Sequence, residues 1–164
     1  MKLYLIRQAI VEDPAGYEDD SLRPLTKKGQ EKMKKIAKAL KNLGVKPGLI
    51  VTSPFLRARQ TASVLAQELL YEKEIIQSDS LMPMSEPDDM IGEINEKFQV
   101  DELMLVGHEP NMSSLTGTLL AGNLNLATNF KKGGVCCLTM DNLRYERKAT
   151  LEWLLTPKIA MRIN

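Results

Sequence analysis

The chain is poor in histidine, since His108 is the only one among its 164 residues. Zinc sites in proteins draw on several histidine and cysteine side chains, so a single imidazole argues against a metal centre. Cysteine is equally scarce: Cys136 and Cys137 are adjacent, and neighbours on a strand would point to opposite faces. We therefore expect no disulfide framework, no metal and two reduced structural cysteines in a cytoplasmic protein. No cofactor is expected either.

Long apolar runs and a charge excess are also missing. No stretch of about 18 apolar residues could span a bilayer, and residues 1–7 lack the long apolar stretch and cleavage site of a signal peptide. With a net charge of +1, the chain as a whole is not expected to bind nucleic acid or an acidic membrane. One predicted helix is nevertheless strongly basic. Its lysines form either a solvated face or a docking surface for an acidic partner; they are Lys27, Lys28, Lys32, Lys34, Lys35, Lys38 and Lys41.

Short apolar runs alternate with helical patterns along the sequence. Five strands are predicted, at 3–6, 49–51, 103–106, 135–140 and 150–155. Four helices are predicted: one between an N-cap at Thr26 and a stop at Gly44, and others at 56–70, 87–98 and 110–121. This order predicts one α/β domain over residues 1–164, a three-layer sandwich with a mainly parallel sheet flanked by helices.

Three of the predicted strands are followed directly by polar residues. Arg7 and Gln8 follow the first strand, Ser53 and Arg57 the second, and His108 the third. Ligands in open α/β sheets bind at the carboxyl ends of the strands, so Arg7, Arg57 and His108 are expected at one rim. Two guanidiniums, an imidazole and the N–H groups at the start of the second helix suit a dianionic phosphoryl group.

Each of these residues also has a purely structural interpretation. Arg7 would serve equally as a surface salt-bridge partner, and His108 as a structural residue of a Gly-His-Glu-Pro turn. Arg57 and Arg59 lie two apart on a helix and face different ways, so at most one is expected to serve the pocket. Their joint position at strand ends is what favours a binding site.

Three motifs carry a resemblance to a known family. Residues 5–9, Leu-Ile-Arg-Gln-Ala, resemble the Arg-His-Gly/Ala signature of the histidine phosphatase superfamily, which has the phosphoglycerate-mutase-like fold, except at Gln8. Residues 53–62 closely match the second motif of that family, and residues 106–110 match the third. The sequence of residues 21–26 resembles that of the SixA-type phosphohistidine phosphatases in particular, and so does the short length of the chain. The resemblance extends to residues 153–157 and so covers nearly the whole chain.

The resemblance implies a role for each matching residue. Arg7, Arg57 and His108 would hold the phosphoryl group, and position 8 would normally carry the histidine nucleophile that forms a phosphohistidine intermediate. Arg23 would assist at the rim of the pocket. No metal is implied, because arginines meet the phosphate charge. The general-acid position falls on Ser80 or is vacant, and a vacancy suits phosphohistidine substrates because an imidazole leaves more easily than an alkoxide.

Gln8 limits what the resemblance implies for this chain. The lone pair of its amide nitrogen is delocalised and its oxygen only accepts hydrogen bonds, so covalent catalysis should fail. Loss of a nucleophile costs on the order of 10⁴ to 10⁶ in rate. Binding should survive better than turnover, since the positive charge of the pocket is intact. Gln8 is either a substitution in an ordinary enzyme or a feature of a natural pseudophosphatase.

Three functions remain open. The first is a phosphohistidine phosphatase acting on a phosphorelay protein, impaired or inactivated here by Gln8. The second is a phosphatase for small phosphate esters, although such enzymes usually carry longer insertions over the site. The third is a non-catalytic module that binds phosphoryl groups. The expected partner is a phosphorylated protein such as a histidine-phosphotransfer domain, with phosphate or sulfate as other occupants of the site, and neither nucleic acid nor membrane.

Overall fold

The computed structural model describes residues 1–141 and 149–163. The strands in this part of the chain are β1 (Lys2–Arg7), β2 (Leu49–Thr52), β3 (Ile76–Gln77), β4 (Glu102–Gly107), β5 (Val135–Thr139) and β6 (Thr150–Leu155). The α-helices are α1 (Lys27–Asn42), α2 (Leu56–Leu69), α3 (Pro87–Lys97), α4 (Asn111–Ala121) and α5 (Pro157–Ala160). Short 3₁₀ turns lie in the connections, at Pro14–Gly16, Asp20–Leu22 and Asp79–Leu81.

The strands form one mixed sheet in the order β3-β2-β4-β1-β5-β6. β1 to β4 pair in parallel, and β5 and β6 add an antiparallel edge. β1 and β4 lie side by side, with Leu5 opposite Leu105 and Arg7 opposite Gly107. The mainly parallel sheet is therefore confirmed, and the carboxyl ends of β1 and β4 are neighbours.

Helices cover both faces of this sheet, as the apolar strands require. In β1, Tyr4 and Ile6 pack on one face in a cluster that includes residues of α1 and α2. Leu3 and Leu5 pack on the other face in a cluster that includes residues of α3 and α4. A strand that is apolar on both faces is stable only when both faces are covered. The three-layer sandwich is thus confirmed.

The two cysteines lie on opposite faces of β5, as predicted. Cys136 belongs to the cluster under α3 and α4, and Cys137 to the cluster under α1 and α2. Both are free thiols, and burial raises the pKa of Cys136 to about 12 and that of Cys137 to about 11. They are packing residues that stay protonated at neutral pH.

The first turn of α1 packs tightly on the segment that follows β1. Thr26 is the N-cap, since its Oγ1 accepts a hydrogen bond from Gly29 N at 2.9 Å. A Cβ atom at Gly29 would lie 2.2 Å from the carbonyl oxygen of Ile10, so only glycine allows this approach. The helix ends at Asn42, and Gly44 follows with a φ of +78°, which confirms both predicted helix signals.

The other predicted helices and strands differ from the structure mainly at their ends. The helices predicted at 56–70, 87–98 and 110–121 are each one residue shorter, and the strand predicted at 135–140 ends at Thr139. β3 and α5 were not predicted. Among the described helices, none has both the length and the apolar character needed to cross a membrane.

Candidate active site

Polar side chains from three strand ends meet at the carboxyl edge of the parallel strands. After β1, Gln8 N donates a hydrogen bond to Gly107 O at 2.9 Å, and after β2, Ser53 N donates to Val106 O at 2.9 Å. The Nε2 atom of His108 lies 2.8 Å from Ser53 Oγ. The turns that follow β1, β2 and β4 are therefore joined side by side, as the strand order requires.

A buried threonine ties the start of α2 to the turn after β1. Thr61 Oγ1 accepts a hydrogen bond from Ala9 N at 3.1 Å and donates one to Arg57 O at 2.7 Å. Arg57 is 5% exposed, whereas Arg59 is exposed to solvent. Only one of the two arginines thus faces the pocket, as their spacing predicts. The helix begins at Leu56 without a side-chain cap, so the first N–H groups of α2 are not taken up by a cap.

Phe55 lies between the arginine of α2 and the imidazole. The Arg57 guanidinium carbon lies 4.8 Å from the centre of the Phe55 ring, a cation–π contact. The same ring meets His108 edge-on, with 5.2 Å between the ring centres. Phe55 thus contacts both Arg57 and His108, and no role for Phe55 was predicted from the sequence.

Arg7 lies at the same edge and is half-buried. Its Nη1 donates a hydrogen bond to the carbonyl oxygen of Phe130 at 2.5 Å, in the segment that leads to β5. Farther along that segment, Gly133 N donates to the carbonyl oxygens of both Arg7 and Gln8 at 3.1 Å. Arg7 forms no ion pair with any described residue, so the salt-bridge interpretation finds no support in this part of the chain.

The rim of the site is closed by the 3₁₀ turn Asp20–Leu22 and the arginine after it. Asp20 Oδ1 lies 2.8 Å from Arg23 Nη2, and its Oδ2 lies 2.8 Å from Arg57 Nη2. Arg57 Nη1 also donates to the Asp20 carbonyl oxygen at 2.7 Å. The structure thus places Arg23 at the rim, and the role in phosphate binding that the resemblance implies for it stays a prediction. Asp20 was missed, because one acid in an acidic segment carries no distinguishing signal.

His108 is uncharged at neutral pH in this environment. The side chain is 2% exposed, and burial lowers its pKa from 6.5 to about 3; the nearby charge of Arg57 adds to the effect, while Asp20 opposes it. Ser53 Oγ accepts a hydrogen bond from Phe55 N at 3.3 Å and lies 2.8 Å from His108 Nε2, while His108 Nδ1 has no partner among the described residues. When the Ser53 hydroxyl donates to Nε2, the imidazole carries its proton on Nδ1 and can donate it to a ligand.

Unpartnered polar atoms concentrate at this site. Buried donors and acceptors in proteins are normally hydrogen-bonded, so a cluster of unpaired ones indicates a place for a polar ligand. Five such atoms here lack a partner among the described residues: Arg7 Nε, Gln8 Oε1, Arg23 Nε, Arg57 Nε and His108 Nδ1. Three of them are permanently charged donors, which match a ligand rich in anionic oxygen. Rotating the Gln8 amide by half a turn would add a further donor.

The remaining residues singled out in the sequence lie close by. Ser80 is part of the 3₁₀ turn Asp79–Leu81. The carbonyl oxygen of Leu81 lies 3.5 Å from the point where a Cβ atom would stand at Gly107. Glu109 precedes Pro110 through a cis peptide bond. The Glu109 carboxylate accepts hydrogen bonds from Ser113 N at 3.1 Å and Ser113 Oγ at 2.7 Å, so this carboxylate is bound to the first turn of α4.

Comparison with known proteins places the chain in a family. The sequence profile of the histidine phosphatase superfamily (branch 1) matches residues 3–85, a range that contains Arg7, Arg23 and Arg57. An uncharacterized protein of Picosynechococcus is 34% identical over 158 residues, which cover 94% of each chain. The phosphohistidine phosphatase SixA of Escherichia coli K12 is 26% identical over 163 residues, covering 96% of this chain and 94% of SixA.

A solved structure shows the same fold. The protein histidine phosphatase SixA, complexed with tungstate, superposes with a TM-score of 0.85 over 96% of this chain and 98% of the SixA chain, at 23% identity. The described sheet, with helices on both faces, is thus the phosphoglycerate-mutase-like fold of SixA. On the profile match, the relatives and the fold together, the chain belongs to the histidine phosphatase superfamily, branch 1, and is similar to the SixA phosphohistidine phosphatases within it.

Proposed function

We propose that this chain has the scaffold of a phosphohistidine phosphatase that acts on a phosphorylated protein, and that Gln8 leaves it able to bind the phosphoryl group but impaired or unable to transfer it. The observation that carries the proposal is the cluster of guanidinium and imidazole nitrogens that lack partners among the described residues. Membership of the superfamily and similarity to SixA support the choice of reaction.

Arg7, Arg57 and His108 would hold the phosphoryl group, with Arg23 at the rim. The guanidiniums neutralise the phosphoryl oxygens through forked hydrogen bonds, which supplies the charge that a metal would otherwise supply. His108, neutral at neutral pH, would donate its Nδ1 proton to one oxygen. The chemistry proposed for the pocket therefore needs no metal ion and no cofactor.

Position 8 is where the reaction would begin. A histidine there attacks phosphorus with a ring nitrogen, the bond from phosphorus to the leaving group breaks, and its electron pair stays on the leaving group. Water then cleaves the phosphohistidine intermediate and releases phosphate. Gln8 has no nitrogen lone pair to offer, so this first step fails, although its amide N–H can still donate to a phosphoryl oxygen.

The leaving group decides between a phosphohistidine and a phosphate ester. An alkoxide needs a proton from a general acid, whereas a protonated imidazole leaves without one. The family resemblance leaves the general-acid position either on Ser80, whose hydroxyl is a weak acid, or vacant. This favours phosphohistidine over small phosphate esters as the substrate.

A protein carrying the phosphoryl group is the proposed partner, for example a histidine-phosphotransfer domain. Support comes from SixA, named a protein histidine phosphatase, which this chain matches nearly end to end. The basic face of α1 would offer such a partner a complementary surface: six of its seven lysines are exposed, and Lys32 is half-buried. Two unpaired cysteines fit a reducing compartment, and we propose the cytoplasm.

Restoring the histidine tests the proposal. The chain as it stands, Gln8→His and Gln8→Asn would be compared for phosphate release from a phosphohistidine peptide and from a sugar phosphate, and for binding of inorganic phosphate. Gln8→His is expected to gain on the order of 10⁴-fold in release from phosphohistidine. Gln8→Asn controls for the change of side chain and should stay inactive, while all three should bind phosphate.

Each alternative predicts a different pattern. If Gln8→His stays inactive while every variant binds phosphate, the chain is a phosphoryl-binding module and the phosphatase proposal is wrong. If Gln8→His prefers the sugar phosphate, the substrate assignment is wrong. If no variant binds phosphate, the pocket itself is assigned wrongly.

A further inference from the structure

Asp20 is the acidic residue at the mouth of the candidate site. Its two carboxylate oxygens each lie 2.8 Å from a guanidinium nitrogen, one of Arg23 and one of Arg57. The Asp20 side chain is 53% exposed, while that of Arg57 is 6% exposed. The exposed carboxylate therefore pairs with an arginine whose side chain is buried.

Asp20 pairs with the same two guanidiniums, those of Arg23 and Arg57, that the proposed function gives to the phosphoryl group. A carboxylate and a phosphoryl group present a similar pair of anionic oxygens to a guanidinium. Arg57 directs both terminal nitrogens to Asp20, one to the carboxylate and one to the main-chain oxygen, and its Nε has no partner among the described residues. A phosphoryl group brought to these nitrogens would meet a second anion already there, and the two would repel each other.

We propose that Asp20 is an internal competitor for the phosphoryl site, whose carboxylate must leave Arg23 and Arg57 before these residues can hold a phosphoryl group. The inference rests on the proposed function, because it takes Arg57 to be a phosphoryl ligand. It makes Asp20 a residue that determines how strongly anionic ligands are held.

The local structure allows the carboxylate to leave while the turn stays in place. The 3₁₀ turn is held by Asp19, whose Oδ1 accepts a hydrogen bond from Ser21 N at 2.9 Å. The hydrogen bond from Arg57 to the Asp20 carbonyl oxygen involves only the main chain. Rotation of the exposed Asp20 side chain into water therefore breaks two ion pairs and leaves these other contacts intact.

The competition has a consequence for occupancy. It weakens every ligand that uses Arg23 and Arg57 by the same factor, so the weakest ligands, which bind only through their anion, are the first to fall below saturation. Inorganic phosphate, the product of the proposed reaction, is such a ligand. A phosphorylated protein makes further contacts outside the pocket and would still bind. Partly exposed ion pairs are individually weak, and the two together are expected to reduce phosphate affinity by about tenfold.

Inorganic phosphate is the probe for the experiment, with binding measured by calorimetry on the full chain. Asp20→Asn removes the charge and keeps the size and the main-chain contact, and Asp20→Ala provides a second variant without a polar side chain. Glu18→Gln is the matched control, because it removes one charge from an exposed position two residues away. Asp20→Asn and Asp20→Ala are expected to lower the Kd about tenfold, and Glu18→Gln to change it less than about twofold.

Binding that is unchanged or weaker in both Asp20 variants, with the parent chain still binding, overturns the competition and leaves the proposed function standing. An equal gain in Glu18→Gln also overturns it, since net charge would then explain the effect. Arg57→Met distinguishes the two proposals. If phosphate binds to no variant, or binds equally well to Arg57→Met, the proposed function fails and the inference falls with it.

Discussion

Acidification directly probes the buried imidazole at the candidate site. The pKa of His108 is lowered to about 3 by burial and by the charge of Arg57. In the unfolded chain the imidazole is solvated and has a pKa of about 6.5. Between these two values the unfolded state binds more protons than the folded state. The free energy of unfolding should therefore fall as the pH drops through this range.

The size of the effect follows from the two pKa values. The contribution of His108 is fully present above about pH 6.5 and is lost progressively as the pH falls toward 3. The slope for one proton is at most about 1.4 kcal/mol per pH unit, and the whole interval corresponds to at most about 5 kcal/mol. A loss of that size is comparable with the total stability of a small domain.

Urea unfolding at pH 7, 6, 5 and 4 measures this loss, with His108→Gln as the matched variant that lacks the titrating ring. The difference between the two pH profiles removes the contribution of the carboxylates and leaves that of His108. The slope of this difference should approach the value expected for the uptake of one proton on unfolding. Parallel profiles would refute the reasoning. Because the chain has a single histidine, its ring resonances in NMR are unambiguous, and a midpoint near pH 6 to 7 in the folded protein would refute it independently.

Two further substitutions, each with a matched control, test residues that support the site. Gly29→Ala would place a Cβ atom 2.2 Å from a backbone oxygen and should cost at least about 2 kcal/mol in thermal or urea unfolding. Gly92→Ala, in α3 with nothing within 4 Å of the new Cβ, should instead stabilise by up to about 1 kcal/mol. Thr61→Val leaves the Ala9 N–H buried and unpaired, and should cost about 1 to 3 kcal/mol and weaken phosphate binding. Thr116→Val, which removes a buried hydroxyl bonded only to a helix carbonyl, should cost less and leave binding unchanged.

The elements that apolar patterns predicted are those with enough residues to show a pattern. β1 and β4 are apolar on both faces, and α1 carries a cap, a buried stripe and a stop. β3 has two residues and α5 has four, which is too short for a period to be read. β3 exists because Ile76 and Gln77 pair with the end of β2, a contact that local sequence does not encode.

The candidate site also has a part that the sequence predicted and a part that it did not. Arg7, Arg57 and His108 were predictable because each follows a strand, and parallel strands bring their carboxyl ends to one edge. The contacts that orient them were not. The partner of Arg7 is a carbonyl oxygen 123 residues away, at Phe130, and that of Arg57 is Asp20, 37 residues away. Such pairings depend on how loops return to the sheet, so one sequence taken alone gives no sign of them.

Charge balance separates holding a phosphoryl group from transferring it. The site holds three arginines, and its one histidine, His108, is neutral at neutral pH. Once the Asp20 carboxylate has turned into water, as proposed above, the three positive charges more than balance a phosphoryl dianion. Gln8 is uncharged, as a neutral histidine nucleophile would be, so the substitution leaves this balance as it was and removes only the attacking lone pair. For that reason phosphate affinity should respond to Asp20 and Arg57, and turnover to position 8, and measuring both on the same variants would separate the two roles.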